Sequence, residues 1–183
     1  MQFPTSERDW QRNAKGFEVK CNFPNCLGAV DGKHVAIVPP PGAGSYFFNY
    51  KGYNSQVLTG IADWNYGFIY LNYGTNGHVS DGGVLEYIDL YDKLQNECLK
   101  IPESFDVKRR KLPYVFIGDE AFSLRKDFLK PYNLKQMTWE RKISNYCLCH
   151  AWRITENVFG ILVARFGIFI KLILIFNWTT VNM

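Results

Sequence analysis

Three carboxylates stand at the margins of apolar segments in this sequence, and their chemistry sets the first question. Asp31 lies within LGAVDGKHVAIV. Read with a period of two, one face of that segment carries Leu27, Ala29, Val35 and Ile37, and Asp31 falls on the same face. Asp119 follows the apolar run Tyr114–Ile117 after a single glycine. Glu156 flanks a stripe formed by Leu148, Trp152, Thr155, Phe159, Leu162 and Phe166, spaced four, three, four, three, four as on a core-facing helix. Unpaired buried carboxylates are costly, so three directed at one core edge require compensating positive charge. A divalent cation supplies it. Oxygen-only ligation suits Mg²⁺ or Mn²⁺ rather than zinc, and two such ions about 3.5–4 Å apart clamp the attacking and leaving oxygens of a phosphodiester displacement.

Each acid also has an ordinary role open to it. Asp31-Gly32 is a hairpin-turn dipeptide, Asp119 can cap whatever follows its strand, and Glu156 can pair with Arg153 at i−3. Neighbouring residues are lesser candidates. Lys33 and His34 stand within reach of a phosphate bound near Asp31, although a surface lysine and a strand histidine are the default. Asp63 and Asp81 suit turn and helix-cap positions. Glu120 points away from Asp119 if strand alternation persists. The run Lys108-Arg109-Arg110-Lys111 is a phosphate or nuclear-import patch or simply solvated charge. Cys147-x-Cys149-His150 and Cys21-x4-Cys26 lack the paired spacing of a zinc framework.

The elements that must position these residues follow from pattern. At 183 residues and 47% hydrophobic, the chain suits one domain with a proper core. Residues 1–23 are polar, with apolar positions too scattered for a stripe, and read as a lead-in arm. Leu27–Val38 reads as a strand ended by Pro39-Pro40-Pro41-Gly42. Ser55–Ala62 and Phe68–Tyr73 read as strands joined by the turn-like DWNYG, which suggests an antiparallel meander. Ser80 or Asp81 can cap a helix carrying Val84, Leu85, Ile88, Tyr91, Leu94 and Cys98. Tyr114–Ile117 is a buried-type strand, and the stripe around Glu156 is the last helix. Three strands, helix, strand, loop, helix is an α/β layer architecture. The net charge of +4 and pI near 8.7 lean toward anionic partners without the charge of a dedicated basic DNA-binding module. Five cysteines and the polar start after Met1 suit a reducing intracellular compartment. The apolar FGIFIKLILIF, Phe166 to Phe176, is shorter than the roughly 18–20 residues needed to span a bilayer, so no membrane partner is expected.

Five ordered blocks, NFPNCLGAVDGKHV, GSYFFNYKGYNS, SDGGV, GDEAFSL and ENVFGIL, together resemble the catalytic domain of PIF/Harbinger transposases and the nuclease-like proteins derived from them, over about Trp10 to Phe166. The resemblance implies an RNase H-like fold, with a central mixed sheet of an antiparallel meander plus parallel strands flanked by helices. It also implies a DDE triad, and the matching positions are Asp31, Asp119 and Glu156. In that family the triad binds divalent metal, Mg²⁺ or Mn²⁺, and activates water and then a DNA 3′-hydroxyl for strand cleavage and transfer. DNA in the nucleus is the implied partner, with a Myb/SANT-like DNA-binding protein as a second. Residues 24–167 then form the catalytic domain and 168–183 a divergent apolar tail. The chain departs from the family where the basic block before the glutamate reads NYCLCHAWRITEN. Three pattern arginines are Cys147, His150 and Trp152, each reachable from a CGN codon by one transition, as in a silenced, decaying element. No helix-turn-helix region precedes the catalytic blocks. A catalytically silent interaction module is therefore the alternative expectation.

Overall fold

The computed structural model describes residues 2–79, 83, 88–96, 98–107, 110–133, 135, 137–169 and 172–174. In chain order the elements are α1 (Glu7–Cys21), β1 (Cys26–Val38), β2 (Ser55–Ala62), β3 (Phe68–Asn76), α2 (Asp89–Gln95), β4 (Phe105–Val107), β5 (Arg110–Leu112), β6 (Val115–Ile117), β7 (Phe128–Leu129), α3 (Trp139–Arg165) and β8 (Ile173–Leu174), with a 3₁₀ turn at Gly167–Phe169 before β8. The main sheet runs β3-β2-β1-β6-β7. β1–β2 and β2–β3 are antiparallel, and β1–β6 and β6–β7 are parallel. This is the mixed α/β, RNase H-like arrangement that the motifs imply. β8 adds a short parallel pairing to the far end of β1, Ile37 with Ile173 and Val38 with Leu174. Two residues of the apolar tail are thus tied to the sheet.

The lead-in arm is corrected: most of it is helix. Ser6 caps α1 reciprocally, its hydroxyl accepting from the Asp9 N–H while the Asp9 carboxylate accepts from the Ser6 N–H. Trp10, Ala14, Phe17 and Cys21 form one buried stripe, and Trp10 and Phe17 have no exposed surface. Between them sits Asn13, a buried polar residue whose amide donates to the Leu27 carbonyl. A polar residue inside the stripe is what hides this helix from a hydrophobicity pattern.

The three-strand meander forms as expected. Its turn is fixed by Asp63, whose Oδ1 accepts from the N–H groups of Asn65 and Gly67, both at 2.8 Å. Of the helix expected from Ser80 or Asp81, only α2 is described. Both cap residues, Val84 and Leu85 lie outside the described residues, and Cys98 lies past the end of α2. α3 begins nine residues before the expected stripe, at the cap Thr138, whose hydroxyl accepts from the Arg141 N–H at 3.3 Å. Its buried residues are Leu148, Ala151, Ile154, Thr155, Val158 and Phe159, so burial starts only at Leu148 and the turns before it are not buried.

One core cluster packs Trp10, Val30, Ile61, Phe116 and Phe128 on one side of the sheet. The other joins Ala29, Ala62 and Ile117 to Leu148, Ala151, Ile154 and Val158 of α3. The α3 side is the side that matters for the three acids. No helix among the described residues is long and apolar enough to cross a membrane.

Candidate active site

Strand register sets Asp31 of β1 beside the end of β6, which Asp119 follows. β1 and β6 are parallel neighbours with Ala29 opposite Ile117. Asp31 and Asp119 each come two residues later. Ala29 and Ile117 both pack under α3, and period-two alternation carries that face on to Asp31. The turn reading of Asp31-Gly32 is excluded, because Asp31 and Gly32 are both within β1, opposite Gly60 and Thr59 of β2. Asp31 is half-buried, and its Oδ1 accepts from the N–H of Gly32 at 2.8 Å. Asp119 is half-buried beyond the end of β6, where its Oδ1 accepts from the Ala121 N–H at 3.0 Å. That is the capping role open to it.

α3 is fastened to the strand beside Asp31 by two side chains one turn apart. The Thr155 hydroxyl donates to the Ala29 carbonyl at 2.7 Å, and the Trp152 indole N–H donates to the next carbonyl, Val30, at 3.0 Å. Glu156 follows Thr155, so the helix delivers the third acid to the neighbourhood of the same strand. Its side chain is exposed, however, and lines an open groove with Tyr66, Asn157, Gly160, Ile161 and Ala164. Gly160 does leave space there: a Cβ added to it meets nothing within 4 Å.

Asp119 opens instead onto a cavity of about 460 Å³ between the end of β6 and the first half of α3, whose lining includes Glu120, Lys142, Tyr146, Cys149 and Trp152. Glu120 lines the same cavity as Asp119. β6 ends at Ile117, and strand alternation no longer applies two residues later. The negative charges of Glu120 and Glu156 both reach Cys149. Burial is the largest cause raising its thiol pKa, Arg153 opposes it, and the two glutamates raise it further.

Among the described residues, no three His, Cys, Asp or Glu side chains lie close enough together to hold a metal ion. Carboxylate oxygens are the donor type that suits a hard divalent cation. The carboxylates as they stand are not gathered around one point.

The remaining candidates resolve differently. His34 is buried and lies 2.8 Å from the Ser55 hydroxyl through Nδ1, with the Asn49 amide donating to the same hydroxyl at 2.7 Å. It anchors the loop after β1. Asp63 shapes a turn, and Asp81 lies outside the described residues. Of the basic run, Lys108 and Arg109 lie outside the described residues, while Arg110 and Lys111 are exposed on β5. Cys21 and Cys26 are buried thiols whose pKa values are raised, above all by burial. Trp152, which replaces a pattern arginine, is half-buried in the core cluster under α3.

The family model described as DDE superfamily endonuclease matches residues 30–176, a span that contains all three acids. No curated protein and no solved structure matches the chain significantly. A match over most of the chain, on a mixed sheet of the expected topology, places the chain in the DDE superfamily endonuclease family.

Proposed function

We propose that the chain is a transposase-like DNA endonuclease core of the PIF/Harbinger branch, acting in the nucleus on phosphodiester bonds with Asp31, Asp119 and Glu156 as its DDE triad. One observation carries the reading. Asp31 lies in β1, Asp119 lies two residues past the end of its parallel neighbour β6, and the helix bearing the glutamate is hydrogen-bonded to β1 two residues before Asp31. The three carboxylates would hold Mg²⁺ or Mn²⁺, which supplies an activated water or 3′-hydroxyl and neutralises charge on the phosphate. The chain's own contribution is positional. Thr155 and Trp152 fix the height of α3 on β1, the Gly32 and Ala121 N–H groups orient one oxygen of each aspartate, and the open groove beside Gly160 leaves Glu156 free of steric obstruction.

Cleavage by this copy is weak in this reading, because duplex DNA must be held by cationic contacts to phosphate and three pattern arginines are absent on α3. A second reading, a silent module that pairs with a Myb/SANT-like DNA-binding protein, is favoured by the ungathered carboxylates and by Trp152 having become a packing residue. Nicking of supercoiled plasmid with and without Mn²⁺, beside Asp119→Ala, separates the two. Slow Mn²⁺-dependent nicking abolished by the substitution supports the nuclease. No nicking, or nicking that survives the substitution, removes it.

A further inference from the structure

The cavity beside Asp119 has a composition that neither the triad nor the packing of the core accounts for. Its volume, about 460 Å³, lies within the roughly 300–1,000 Å³ of small-ligand pockets. It opens where α3 runs past the core, since residues 139–147 precede the first buried position of the helix, Leu148. Two aromatic side chains line it in different states. Trp152 is half-buried and held by its hydrogen bond to the Val30 carbonyl. Tyr146 is 73% exposed.

The wall is rigid. Asn145 grips the Tyr132 backbone twice, accepting from its N–H at 2.8 Å and donating to its carbonyl at 2.9 Å, which ties the segment after β7 to α3. The charges are divided. Glu120 and Asp119 offer acceptors at the β6 end, and Lys142 offers an ammonium one turn before Tyr146.

A flat ring, donors on its edge and an attached anion are what such a lining complements. A nucleotide has all three: the base stacks on aromatic faces, an exocyclic amino group donates to a carboxylate, and the phosphate meets the lysine. Enzymes that work on one position of a duplex take a base out of the stack into such a pocket. We infer that this cavity receives one unpaired nucleotide of the DNA next to the bond being cut, with its base between Tyr146 and Trp152, an amino-bearing edge toward Glu120 and its phosphate at Lys142. A protein segment in the same cavity is the competing occupant. The inference rests on the DNA-endonuclease reading and adds the nucleotide subsite and its base preference.

The test uses the full chain without divalent metal, so that DNA is bound and not cut, and short duplexes carrying 2-aminopurine either in a one-nucleotide 3′ overhang or fully paired. Binding is followed by anisotropy of a distal label and stacking by 2-aminopurine fluorescence. The expected result is quenching of the overhang probe only and about tenfold tighter binding of overhang than of blunt duplex. Tyr146→Ala, at an exposed position that does not threaten folding, should abolish both. Lys142→Ala should weaken overhang binding, and Glu120→Ala should erase a preference for cytosine over thymine in the overhang. Binding that is tight but indifferent to the overhang and to Tyr146→Ala overturns the nucleotide pocket alone and leaves the cavity to a protein segment. No DNA binding by any duplex overturns the endonuclease reading with it.

Discussion

Replacing Thr155 with valine tests the contact that sets α3 on the central strand. The residue has no exposed surface, and its hydroxyl donates to the Ala29 carbonyl at 2.7 Å. Valine keeps the branched shape and deletes the donor. The lost hydrogen bond is worth about 1 kcal/mol net, and a buried carbonyl left short of a donor raises the cost toward ~2 kcal/mol. The extra methyl offsets only part of this, so a net loss of about 1–2 kcal/mol is expected. With a urea slope of about 2 kcal/mol/M, the unfolding midpoint should fall by about 0.5–1 M with an unchanged slope. Trp152→Phe removes the hydrogen bond to the adjacent carbonyl one turn away. Because the two bonds hold consecutive carbonyls of one strand, the double variant should depart from additivity by about 0.5 kcal/mol or more. A Thr155→Val midpoint equal to or above that of the parent chain, with the double variant strictly additive, would refute the claim that these bonds register the helix.

Gly118 offers a matched pair with Gly160. A Cβ at Gly118 would stand 2.7 Å from the rings of both Phe122 and Phe128, so Gly118→Ala should cost about 1–3 kcal/mol and disturb the strand end bearing Asp119. Gly160→Ala meets open space and should stabilise the protein by about 1 kcal/mol; thermal unfolding of the two variants checks both signs. Restoring the pattern arginines should divide the three sites. Cys147→Arg and His150→Arg should steepen the salt dependence of DNA binding by roughly one unit each, whereas Trp152→Arg should cost about 2–4 kcal/mol of stability through lost packing and a buried charge. Lys93 first, and then the Tyr70 hydroxyl, hold the Asp89 carboxyl below its ordinary value of 3.8. The stability this lends is complete above about pH 4 and is lost as pH falls through the lower folded-state value. Asp89→Asn should flatten that acid limb in a pH series of urea melts.

The meander and β6 were legible as short apolar runs bounded by turn residues, and α3 from Leu148 onward by its helical spacing. Ser55–Ala62 was read with its observed ends, and the helical stripe held Leu148, Thr155 and Phe159. α1 was not legible because Asn13 interrupts its stripe. β7 was missed because two residues carry no period at all. The three acids were nominated singly, from a face, a strand end and a flank. Their relation depends on the Ala29–Ile117 register, a pairing between segments 88 positions apart that leaves no mark in local periodicity.

The central proposal is that Asp31, Asp119 and Glu156 together bind a divalent cation. Titration of Mn²⁺ into the chain, with free Mn²⁺ followed by its electron paramagnetic resonance signal, tests this without requiring cleavage. The account predicts saturable binding by the parent chain and affinity at least tenfold weaker, on the order of 1.4 kcal/mol, in each of Asp31→Asn, Asp119→Asn and Glu156→Gln. Binding of equal strength in all four proteins, or none in the parent chain, would contradict it.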